Sequence, residues 1–116
     1  INPDHAPTHH YMGLIYNGLG RYDDAVESCK KALKINPDSA PTLYNLGIAY
    51  GGLDKSSQEM EAFKQAIRVD PDFAPAHYNM GIIYLIQGDK AAALEEYKIL
   101  KVLDQNMAEM LFDRIY

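Results

Sequence analysis

The chain has 116 residues, 47% of them apolar and 23% charged, and a formal net charge of −5. This composition fits one folded domain, and the acidic balance argues against a nucleic-acid binder, which would normally carry a basic stripe. Cys29 is the only cysteine, so no internal disulfide and no cysteine metal site can form. No apolar run reaches the ~18 residues of a membrane helix, and no secretory leader is visible. A soluble, cytoplasmic protein without a cofactor is expected.

In chain order, Pro3 and Pro7 recur as Pro37 and Pro41, then as Pro71 and Pro75, a step of 34 residues (3, 37, 71). Gly13, Gly47 and Gly81 keep the step, as do Tyr16, Tyr50 and Tyr84. A fixed period of this size marks stacked repeats, each unable to bury its apolar face alone. Each repeat reads as two helices. The first helices are expected over about 6–19, 40–53 and 74–87, each with a proline in its first turn, where a missing N–H costs little. Asp4, Asp38 and Asp72 precede them and are expected to cap free N–H groups or favour the dipole. The second helices are expected over about 23–35, 57–69 and 90–103. A short terminal helix over 107–116 makes seven. Glycine in mid-helix costs roughly 1 kcal/mol relative to alanine, so Gly13, Gly47 and Gly81 predict close helix–helix approach.

These residues resemble the tetratricopeptide repeat family over the whole chain. Repeat one carries His9-x-x-Met12-Gly13-x-x-Tyr16, then Ala25-x-x-x-Cys29, Ala32 and Pro37. Repeat two carries Leu43-x-x-Leu46-Gly47-x-x-Tyr50, then Glu59-x-x-x-Phe63, Ala66 and Pro71; repeat three carries His77-x-x-Met80-Gly81-x-x-Tyr84, then Ala93-x-x-x-Tyr97. The resemblance implies an all-α, right-handed superhelical solenoid, a single domain over 1–116 with repeats at about 6–39, 40–73 and 74–106. Glu59, where a small residue is usual, implies a slightly splayed second repeat. Leu100 and Gln105 depart from the pattern and imply that the last pair packs against the terminal helix.

The resemblance also implies that first helices line a concave groove. Their columns would place His10, Tyr11, Leu14, Tyr44, Asn45, Ile48, Tyr78, Asn79, Ile82 and Leu85 in a peptide-binding groove, with Asn17 and Asp113 in the same columns. No Asp, Glu, Lys or Arg occurs in the three first-helix segments, where the chain average would give roughly ten. Asn can donate and accept, so Asn45 and Asn79 could each hold one peptide group. The bland alternative is that both only satisfy neighbouring backbone. Chaperone-binding members of the family grip a C-terminal carboxylate with cations; the matching positions are His10, Leu14, Asn45, Pro75 and Asn79. Only Asn45 agrees, so such a clamp is not expected.

Other chemistry is sparse. His5 and His9 have the spacing of two ligands on one helix face, but His9 shares a packing column with Leu43 and His77. No phosphate loop or nucleophile motif occurs, and Cys29 falls in a core column. The leading reading is a non-enzymatic scaffold gripping an extended, largely uncharged peptide of a protein partner. The alternatives are a self-assembly module stacking end to end and a recognition arm of a larger enzyme. Ile1-Asn-Pro-Asp4 reads as the tail of an earlier repeat. Weak homo-oligomers are expected through the face around His9, Met12 and Tyr16 or through the terminal helix.

Overall fold

Prolines and glycines punctuate the chain where the sequence places them. The computed structural model describes residues 5–116. The Asp4 cap and the reading of residues 1–4 as a repeat tail lie outside the described residues. Seven helices follow in order: α1 (Ala6–Gly18), α2 (Tyr22–Ile35), α3 (Ala40–Gly52), α4 (Ser56–Val69), α5 (Ala74–Ile86), α6 (Lys90–Leu103) and α7 (Gln105–Ile115). No strand is present among the described residues. The architecture is an all-α helical repeat. The terminal helix starts two residues earlier than expected because Asp104 caps it, accepting the Met107 N–H at 3.1 Å.

The helix starts correct one expectation. Pro7, Pro41 and Pro75 occupy the first turns of α1, α3 and α5. Asp38 and Asp72 do not cap α3 and α5. Ser39 caps α3 by accepting the Thr42 N–H, and Phe73 stands at the α5 cap without a side-chain bond. The reason is a tight lead-in one residue upstream. Asn36 Oδ1 accepts the Asp38 N–H, and Asp70 Oδ1 accepts the Asp72 N–H, so the chain turns before the acids can reach the helix.

The three first helices end alike. Arg21, Lys55 and Asp89 donate their N–H to the carbonyls of Tyr16, Tyr50 and Tyr84 at 2.8–2.9 Å, while Gly20, Asp54 and Gly88 donate to Asn17, Gly51 and Leu85, one residue nearer the helix end. This double closure needs a left-handed residue in the middle. Gly20 (φ 73°), Asp54 (φ 59°) and Gly88 (φ 79°) supply it, one per repeat.

Tertiary packing divides the chain into two compact units, Ile1–Val69 and Asp70–Tyr116. In unit 1 a Cβ on Gly13 would lie 2.7 Å from Cys29 Sγ, and one on Gly47 would lie 2.6 Å from the Phe63 ring. Glycine therefore lets α1 reach α2, and α3 reach α4, at van der Waals distance. Cys29, Leu46 and Ala62 form a buried cluster walled by Val26, Leu33 and Tyr50. Burial pushes the Cys29 thiol up to about 11, which leaves it inert at neutral pH. Glu59 is accommodated by Gly51, whose missing Cβ leaves room for the carboxylate; burial raises its pKa.

In unit 2, α7 packs on α5 and α6. Leu100, Ala108 and Leu111 are fully buried, with Ala74, Tyr78, Ile82, Leu85, Tyr97, Met107 and Ile115 around them. Gly81 faces Leu111 of α7, 2.7 Å from where its Cβ would be.

Candidate protein-interaction surface

The expected groove residues lie on both units. In unit 1, Tyr11 and Leu14 project from α1 and are 60% and 49% exposed. The exposure is possible because Gly13, between them, faces α2. His10, Tyr44 and Ile48 are half-buried. His10 is fixed by a 2.9 Å hydrogen bond between its Nδ1 and Thr42 Oγ1, and its ring meets Tyr11 edge-on with centroids 5.3 Å apart. Tyr44 leans on Phe63 at 5.6 Å between centroids. Asn45 is buried, with only 6% of its surface exposed. Its carbonyl accepts a 2.9 Å bond from Asn17 Nδ2, which ties α3 to α1. Asn17 Oδ1 is buried and has no hydrogen-bond partner among the described residues.

In unit 2, Tyr78, Asn79, Ile82 and Leu85 are all half-buried on α5. Three of the four, Tyr78, Ile82 and Leu85, pack against the cluster made with α7. The hydroxyl of Tyr78 accepts a 3.2 Å bond from Arg114 Nε. Ile82, Leu85, Ile86 and Arg114 line an open hollow of about 310 Å³. Arg114 is a correction. The first helices are free of charge, yet α7 carries a cation to the side of Tyr78, so the surface of unit 2 is not uncharged. The sequence hid this because α7 lies beyond the last full repeat. Its apolar spacing at Ala108, Leu111 and Ile115 was the available signal.

His77 is a hydrogen-bonded core residue, 4% exposed. Its Nδ1 lies 2.7 Å from Glu96 Oε2, and its Nε2 lies 2.7 Å from the Pro71 carbonyl. The Pro71 carbonyl can only accept, so Nε2 donates to it, and the protonated ring can donate to Glu96 through Nδ1 as well. The Glu96 hydrogen bond raises the His77 pKa, burial opposes it, and the Pro71 carbonyl adds to the rise. No group of three or more His, Cys, Asp or Glu among the described residues is placed to hold a metal ion. No helix among them is long and apolar enough to cross a membrane.

The face named for self-association is also on α1. His9, Met12 and Tyr16 are half-buried, and Arg21 lies over the Tyr16 ring at 4.9 Å. Ile15 and Leu19, which the sequence reading left out, are more open, at 59% and 65%.

A further feature of unit 1 went unread in the sequence. Ala6, Pro7, His10, Tyr11, Ala32, Asn36, Ser39, Pro41 and Thr42 line an open cavity of about 290 Å³ between the starts of α1 and α3 and the last turn of α2. Thr42 and Ser39 hydroxyls are bonded at 2.9 Å, extending the His10 contact into a chain of three side chains.

Sequence profiles of the tetratricopeptide repeat match residues 6–39, 28–64 and 62–95. No curated protein matches the chain in sequence. Among solved structures, the chain is similar to the Arabidopsis OM64 TPR domain, at 18% identity over 99% of this chain and 97% of that one, with a TM-score of 0.88. It is also similar to the TPR2B domain of yeast Sti1, solved as a pHsp70 complex, at 19% identity over 95% and 94%, with a TM-score of 0.86. The first TPR domain of Spaghetti (RPAP3), bound to the HSP90 peptide SRMEEVD, matches at 20% identity over 99% and 93%, with a TM-score of 0.86. At these identities the likeness is one of fold.

Proposed function

Since the chain belongs to the tetratricopeptide repeat family, we propose that it is a non-catalytic protein-interaction scaffold whose first helices hold an extended, largely uncharged segment of a partner protein. The observation that carries this is the composition of α1 and α3. They present Tyr11 and Leu14 in the open, flanked by His10, Tyr44 and Ile48, with no Asp, Glu, Lys or Arg in either helix. Large, half-rigid side chains of this kind bury much area at low entropic cost. Asn45, nearly buried, has the least to offer among the groove residues.

The neighbours sharpen the reading by contrast. The peptide held by the RPAP3 domain, SRMEEVD, contains three acidic residues. Acidic ligands require cations, which α1 and α3 lack. The ligand of this surface is accordingly a different class of peptide.

The test is selection of peptides from a random display library on the intact protein, followed by affinity measurement with Tyr11→Ala/Leu14→Ala. Selected peptides should be poor in Asp, Glu, Lys and Arg. The double variant should lose about tenfold or more in affinity, as for anchor residues at an interface. Equal affinity for both proteins would remove α1 from the site.

A further inference from the structure

The cavity at the start of α1 and α3 has a filled counterpart in unit 2. Stepping through the repeat, His10, Ala32 and Ser39 of unit 1 correspond in register to Tyr78, Leu100 and Met107 of unit 2 (each 68 residues on). In unit 2 these three, with Ala74 at the register of Ala6, belong to one hydrophobic cluster. In unit 1 the smaller residues leave about 290 Å³ open. That size lies at the lower end of ligand pockets, roughly 300–1,000 Å³, and suits one large side chain better than a cofactor.

We propose that this cavity is a side-chain pocket that takes a tyrosine of the partner peptide. The proposal rests on the peptide-binding reading above and adds the residue the peptide must carry. Three observations select the occupant. First, the floor and walls are apolar or neutral: Ala6, Ala32, Pro7 and Pro41, with none of the nine lining residues charged at a carboxylate, ammonium or guanidinium. Second, the chain itself places an aromatic residue at the two relevant registers in the next repeat, Tyr44 for His10 and Phe73 for Ser39. Aromatic residues are thus what the chain carries at these two registers one repeat on. Third, the rim keeps unspent hydrogen-bonding capacity. His10 uses Nδ1 on Thr42 and leaves Nε2; Asn36 uses Oδ1 on the Asp38 N–H and leaves its NH2 group; the Tyr11 hydroxyl has no partner among the described residues. A purely aliphatic guest would bury these groups without partners, which costs free energy. A tyrosine presents an apolar ring to the floor and a hydroxyl to the rim.

The fold supplies its own blocking variants. Ser39→Phe copies the residue at the α5 cap, where Phe73 serves without a capping bond. Ala32→Leu copies Leu100, buried at the same register in unit 2. The probe is N-acetyl-L-tyrosinamide, titrated into the intact protein and followed by amide chemical shifts, with N-acetyl-L-leucinamide as control. A ligand of this size should bind with a dissociation constant on the order of 1 mM. The expected result is saturable shifts centred on Tyr11, Ala32 and Thr42, at least about fivefold weaker for leucinamide, and lost in both folded variants. Shifts that persist in both variants, equal affinity for leucinamide, or no saturable shift would each overturn the pocket. Library peptides that lack tyrosine and still lose affinity in Tyr11→Ala/Leu14→Ala would overturn the pocket and leave the interaction surface standing.

Discussion

In unit 1 the mid-helix glycines of α1 and α3 face their own second helices, Gly13 on Cys29 and Gly47 on Phe63; in unit 2 Gly81 faces Leu111, which belongs to α7. The repeat fixes where a helix must approach, and the neighbour that arrives differs. The consequence reaches the surface. In unit 2, α7 covers Tyr78, Ile82 and Leu85 and carries Arg114 beside them. In unit 1 the corresponding helix α1 keeps Tyr11 and Leu14 open and uncharged. Identical spacing thus yields a packed, partly cationic face in one unit and an open, neutral one in the other.

The strongest way to break this comparison is to empty the two glycine sites. Phe63→Ala should cost about 3–5 kcal/mol and Leu111→Ala about 2–5 kcal/mol, since both side chains are fully buried. Chemical denaturation measures the loss. Native-state hydrogen exchange should accelerate across α1–α4 in the first variant and across α5–α7 in the second. Uniform acceleration in both would contradict the division into two units.

The next effect belongs to unit 2 alone. His77 bridges Pro71 and Glu96, with the Asp72 carboxylate in the lead-in loop favouring its protonated form and Tyr84 on its own helix feeling the same Glu96. Its folded pKa lies above the ordinary 6.5. The proton it binds on folding therefore stabilises unit 2 fully below that ordinary value, and the contribution fades as pH rises through the folded pKa. Hydrogen bonds to charged groups contribute about 1.5–3 kcal/mol. Wild type should lose about that much stability relative to His77→Gln as pH is raised, measured by denaturation at a series of pH values. A difference independent of pH would show that the ring does not change its protonation there.

Smaller changes separate packed from open glycines. Gly47→Ala pushes a methyl group against the Phe63 ring and should cost about 1–3 kcal/mol, less any gain in helix propensity. Gly18→Ala meets nothing within 4 Å and should stabilise by up to about 1 kcal/mol. Opposite shifts in Tm are expected. The smallest effect concerns the turns. Asp54 is the one non-glycine among the three left-handed positions of the described residues. Asp54→Gly should raise stability by up to about 1 kcal/mol, again read from Tm.

Most of the fold was legible because it is written in residues with backbone consequences. Proline in a first turn and glycine at a close contact act through local geometry and recur every 34 residues; the left-handed turn recurs too, with glycine in two repeats and Asp54 in the other. Cap identity was less legible: Ser39, not Asp38, bonds the α3 N-terminus, because the Asn36 turn sets the chain one residue further round. The candidate site was legible in outline only. Column reasoning found Tyr11 and Leu14 in the open, but not the depth of Asn45, which depends on helices packed around it. Nor could it find Arg114 beside Tyr78, because α7 lies beyond the last full repeat and carries Glu109 and Ile115 where the repeat has its proline and glycine. The 290 Å³ cavity required comparing what is small in one repeat with what is large in another at three separated positions.

The most direct test of the central claim is the salt dependence of binding for one selected peptide. Affinity is measured at about 0.05 M and about 0.5 M salt, a range over which screening of exposed charges changes severalfold. A ligand held by Tyr11, Leu14 and their neutral neighbours should change by less than about twofold, and Arg114→Gln should leave its affinity unchanged. A loss of tenfold or more with salt, abolished in Arg114→Gln, would contradict the account and move the site to α7.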